Sequence, residues 1–141
     1  MSTEKQNQLV DIKVSLKIKL AMLWASLMFL YLYVDYFHLY MPGTIAAIQA
    51  GKVFEFKLTQ GFLLAALASM TIPALMIFLS VVLPAKVNRC TNIIIAGVFV
   101  PYTLFNLAGE AWIHMVFGAV VEVVLLCLII RYAYKWPRIE K

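Results

Sequence analysis

At 141 residues and 16.0 kDa, the chain is 64% hydrophobic and only 13% charged, with a mean hydropathy of +0.89. Soluble domains are about 45–50% apolar and about 25% charged, so this composition is that of a membrane protein, with apolar material for about four spans of about 20 residues each and no room for a soluble catalytic domain. No Gly-rich phosphate loop occurs, two cysteines cannot staple a secreted scaffold, and the formal charge of +5 reflects the placement of basic residues about a membrane and not a nucleic-acid partner.

Residues 10–19 alternate apolar and polar side chains and feed directly into the first apolar run, which reads as an interfacial segment whose lysines reach toward headgroups. That run, residues 20–40, is long enough to span and too long for the apolar core of a cleaved signal peptide. Met41, Pro42 and Gly43 end it and open an outer-face connection over residues 41–61. Within the connection, Thr44 is placed to cap a short turn of helix through Ile48, Gly51 stops it, and the alternation over residues 52–57 predicts an extended piece. The second span is expected over residues 62–83, between Gly61 and Pro84. The third covers about residues 91–107 and contains Pro101, and the fourth covers residues 111–134. Trp112, Tyr132, Tyr134 and Trp136 fall where an aromatic belt is expected. The predicted fold is all-α: one transmembrane domain over residues 1–141, an up-down four-helix bundle.

Orientation follows from the basic residues. Lys5, Lys13, Lys17, Lys19, Lys86, Arg89, Arg131, Lys135, Arg138 and Lys141 fall on one side, and only Lys52 and Lys57 on the other, so both termini are expected in the cytoplasm.

An ionisable side chain at membrane depth costs about 2.5–3.5 kcal/mol at a helix centre and therefore needs a reason to be there. Five candidates stand out as ligand or proton sites: Asp35, His38, Glu110, His114 and Glu122. Counting at about 1.5 Å per residue puts Asp35 and His114 at nearly the same level of the first and fourth helices, where they are expected to meet in a pocket open to the outer face. Tyr31, Tyr102 and Asn106 lie at reachable depths, and Gly118, one turn below His114, allows close approach of a neighbouring helix. The Asp35-x-x-His38 spacing is like that of di-metal bundles, but those need two such motifs and two further carboxylates, so no metal is assigned. Glu122, near mid-span, has two readings. One is a protonated carboxyl that bonds the Ser69 carbonyl freed by Pro73, and the other is a proton-coupled site. Cys90 and Cys127 are expected to be free thiols.

The stretch Tyr31 to Gly43, the run around Ile72, Pro73 and Ser80, the pair Asn88-Arg89, and the ending Tyr132 to Pro137 resemble a family of small uncharacterised bacterial four-helix membrane proteins over nearly the whole chain. Asp35, Pro42, Gly43, Pro73, Asn88, Arg89 and Glu122 match its pattern, and His38, Glu110 and His114 stand outside it. The resemblance implies a bacterial inner-membrane location and a compact bundle, and no activity. A more distant likeness to DoxX-related proteins concerns the fold alone.

The function expected from these residues is binding or transport of a small molecule or a proton in a polar pocket within the bundle. The alternatives are a membrane enzyme using Asp35 and His114 as an acid–base pair on a lipophilic substrate, and an accessory protein without a ligand. No cofactor is called for. The expected partners are the lipid bilayer and a small-molecule ligand, with a homo-oligomer left open.

Overall fold

A computed structural model describes residues 11–53, 55–108 and 112–137. Four long helices dominate it: α1 (Leu16–His38), α3 (Gln60–Val82), α4 (Ala85–Phe105) and α5 (Ile113–Tyr134). At about 1.5 Å per residue each is about 31–35 Å long. Between α1 and α3 lie a short helix α2 (Thr44–Gln49) and two strands, β1 (Lys52–Val53) and β2 (Phe56–Lys57), paired antiparallel with Lys52 opposite Lys57. The extended piece expected there is therefore a hairpin. Gly43 and Gly51 bracket α2 with φ of +86° and +75°, a left-handed backbone that other residues adopt only with strain. Gly43, and not Thr44, is the N-cap of α2.

The helix ends depart from the apolar runs in an explicable way. α1 starts at Leu16 because the Ser15 hydroxyl accepts from the Ile18 amide, so Lys17 and Lys19 ride on its first turns. α3 is capped likewise by Thr59, whose hydroxyl accepts from the Phe62 amide. α4 begins at Ala85, well ahead of the apolar run: Pro84 stands extended at its N-cap, and of the polar residues in its first turns Asn88 and Asn92 are buried on the inner face.

Three of these helices, α1, α3 and α5, are long and apolar enough to cross a membrane. α4 matches them in length but carries that polar start.

α1 packs against α3 on one side and α5 on the other, and α4 lies against α5. Contacts give the directions. Lys17 donates to the carbonyls of Val81 (3.1 Å) and Leu83 (2.7 Å), and Lys19 lies 5.9 Å from the Tyr132 ring, so α1 runs antiparallel to α3 and α5. Trp24 and Tyr31 bond Asn92 and Thr103 in turn, so α1 and α4 run parallel. One end of the molecule therefore carries Lys17, Lys19, Lys86, Arg89, Arg131 and Lys135, hereafter the basic end, and the other carries α2 and the hairpin.

Buried positions recur every three or four residues, as a helix seam requires: Leu20, Trp24, Leu27 and Tyr31 on α1, and Met115, Ala119, Glu122, Leu126, Ile129 and Ala133 on α5. At the basic end the seam is polar. Trp24 Nε1 donates to Asn92 Oδ1 (2.7 Å), Asn92 Nδ2 donates to Asn88 Oδ1 (2.6 Å), and Asn88 Nδ2 donates to the Ser80 carbonyl (2.6 Å), all buried. This network ties α1, α3 and α4 in register without hydrophobic drive, which lipid does not supply between helices.

Candidate functional site

The second polar cluster is built where α1, α4 and α5 converge toward the hairpin end. Its floor is close backbone approach. Gly118 on α5 faces Val34 on α1 so tightly that a Cβ at Gly118 would stand 2.6 Å from Val34 Cγ2. One turn deeper, Glu122 enters the same seam and is only 4% exposed. It lies nine residues into α5, about 13 Å from that helix's start. On α1, Tyr31 stands one turn from Asp35, and its hydroxyl bonds the Thr103 hydroxyl of α4 at 2.8 Å, buried. Thr103 and Tyr31 both neighbour the Glu122 carboxyl, Thr103 as a hydrogen-bonding group.

From Glu122 a series of titratable groups leads outward. Asp35, on the exposed side of α1, is in electrostatic reach of Glu122, and His38, one turn further along α1, is in reach of both Asp35 and His114. His38 is half-buried, and His114 Nε2 is buried without a hydrogen-bond partner among the described residues, its ring edge-on to Trp112 at 6.3 Å. Around this level Tyr33, Tyr36, Phe37 and Tyr40 form an exposed aromatic cluster on α1, with Tyr36 and Tyr40 hydroxyls 2.8 Å apart. Such a belt marks a membrane–water interface, so the series runs from mid-helix to an interface.

Four of the five candidates are thus brought to one region, and Glu110 lies outside the described residues. On α1 it is His38 that has His114 within electrostatic reach, together with Asp35. Glu122 has Asp35 of α1 and Thr103 of α4 as neighbours, and α3, which carries Ser69, packs mainly on α1. Pro73 is buried in α3 all the same. Among the described residues, no three His, Cys, Asp or Glu side chains are grouped to hold a metal ion. Cys90 and Cys127 are free thiols on exposed faces. Thr103 was not singled out by sequence. Its signal was a hydroxyl two residues beyond Pro101 in an otherwise apolar run, at the heptad step from Ala96 and Phe99 that buries it.

Long apolar helices, a buried mid-helix carboxyl and an interfacial aromatic cluster define a helical membrane protein. The chain belongs to a family of unknown function, DUF6326, whose model matches residues 8–141. No curated protein and no solved structure matches it.

Proposed function

We propose that this chain is a four-span protein of the bacterial inner membrane, with the basic end cytoplasmic, that takes up a proton, or a small protonatable molecule, at Glu122. The observation that supports this reading is the setting of Glu122. A carboxyl at mid-helix, enclosed by three helices, has a hydroxyl pair against it and, among the described residues, no Lys or Arg for a neighbour. Register alone needs one polar partner, whereas here Asp35, His38 and His114 continue from Glu122 toward the interface. Such a row of exchangeable protons serves proton entry from the hairpin end.

Glu122→Gln keeps the shape and the capacity to donate but cannot ionise. In liposomes holding a pH-sensitive dye, wild-type protein should pass protons or couple ligand uptake to pH. Glu122→Gln should fold and melt normally while losing that dependence, and Asp35→Asn should slow it. Infrared titration of the protonated carboxyl band reports the same group directly. A wild-type protein without flux and without a titrating buried carboxyl, or a Glu122→Gln variant that keeps its pH dependence, refutes the reading. Reporter fusions after Gly51 and after Lys141 test the topology, with outside and inside signals expected in turn.

A further inference from the structure

At the basic end, away from Glu122, a cavity of about 420 Å³ opens between the first turns of α4 and the chain leaving α5. Lys86, Arg89, Cys90 and Ile93 line it from α4, and Trp136 and Pro137 from beyond α5. Two cations face it and, among the described residues, no carboxylate does. The Arg89 guanidinium is held 5.6 Å from the Tyr134 ring, a contact that fixes its position but accepts no hydrogen bond. Its Nε is buried and has no acceptor among the described residues. Leaving such a group unsatisfied is costly, more so when it is charged. Asp11, Asp35, Glu55 and Glu122, the described acidic residues, all lie off this cavity.

The backbone beside Arg89 points the same way. Pro84 offers no side-chain cap, and the first helical bond of α4 is Asn88 N–H to the Pro84 carbonyl at 2.9 Å. The amides of Ala85, Lys86 and Val87 thus lack a helical acceptor. Asn88 is turned inward to Ser80 and Asn92 and does not serve them. The opposite wall, Trp136 and Pro137, is aromatic and apolar, and Ile93 adds an apolar side chain from α4 one turn beyond Arg89. An occupant that satisfies both walls carries a compact oxyanion on an apolar stem.

We propose that this cavity binds a phosphate-bearing anion, supplied in the membrane by the headgroup of an anionic phospholipid, with Arg89 and Lys86 on the phosphate oxygens and Trp136 against the glycerol and upper acyl chain. Arg presents paired donors suited to phosphate, and the volume is that of a small-ligand site.

Cys90 lies in the cavity wall and reports its occupancy. In a Cys127→Ala background, the protein is placed in nanodiscs of phosphatidylcholine, with or without phosphatidylglycerol, and the rate of Cys90 alkylation by a neutral maleimide is measured. Phosphatidylglycerol should slow alkylation about fivefold, the factor for a site four-fifths filled. The protection should vanish in K86Q/R89Q and weaken in K86Q alone, an exposed position that does not threaten folding. Inorganic phosphate that protects in phosphatidylcholine, where phosphatidylglycerol does not, assigns the same anion chemistry to a soluble source. Three outcomes overturn the proposal. The first is no protection by either anion. The second is equal slowing in wild type and K86Q/R89Q, which is a surface-charge effect on the thiol. The third is protection already present in phosphatidylcholine and abolished by E140Q, which would make the carboxylate of Glu140 the acceptor for Arg89.

Discussion

Gly118 is the position where a single methyl group tests the packing that holds the candidate site. In Gly118→Ala the new Cβ would sit 2.6 Å from Val34 Cγ2, against about 3.5–4.0 Å for carbon atoms at rest. Val34 cannot turn away cheaply, since a β-branched side chain in a helix has essentially one rotamer. Relief therefore requires α1 and α5 to separate by about 1 Å. Overpacking of this kind costs about 1–3 kcal/mol, and replacing a helical glycine returns about 0.5–1 kcal/mol, which leaves Gly118→Ala destabilising by up to about 2.5 kcal/mol. In a Val34→Ala background the clashing methyl is gone, and the same substitution should stabilise by about 0.5–1 kcal/mol. Glu122 Oε1 is 3.7 Å from the added Cβ position, an ordinary contact, so the carboxyl stays in place. Equilibrium unfolding in mixed micelles across the four proteins of this double-mutant cycle reads the coupling directly. Equal effects of Gly118→Ala in both backgrounds would refute the close approach of α1 and α5.

Tyr31→Phe removes one hydroxyl from the buried pair and leaves Thr103 with Glu122 alone. It should cost about 1 kcal/mol in the same unfolding assay, and Tyr31→Phe with Thr103→Val should cost less than the sum of the two. Asn92→Leu strands the Trp24 indole N–H, which bonds Asn92 at 2.7 Å, and should destabilise by about 1–3 kcal/mol; Trp24→Phe in that background should recover part of the loss. Lys17→Met uncovers the last carbonyls of α3, now bonded at 3.1 and 2.7 Å, for about 0.3–1 kcal/mol, with faster hydrogen exchange confined to the α3–α4 junction as the signature.

The sequence by itself determined the membrane class and the places where helices are interrupted. Apolar runs of span length, Pro-Gly after α1 and Pro84 after α3 act through local chemistry, since a span must satisfy its backbone within itself and proline removes a donor whatever surrounds it. The same is true of the depths of Asp35, His114 and Glu122, which are fixed by rise per residue along each helix. Helix starts were less legible, because Ser15 and Thr59 caps and the polar first turns of α4 extend helices beyond the apolar run that marks them. Only the tertiary structure decided who meets whom. A depth count says nothing of rotation about the helix axis or of which helices are neighbours, and those depend on side chains on other elements. The Val34–Gly118 approach, the Tyr31–Thr103 bond and the packing of α3 on α1 set which faces of the helices meet, bring His38 within reach of Asp35 and His114, and give Glu122 a hydroxyl neighbour from α4. Helices in lipid have no hydrophobic drive to choose a partner, so small residues and scattered hydroxyls set the arrangement, and these leave little trace in a pattern dominated by apolar side chains.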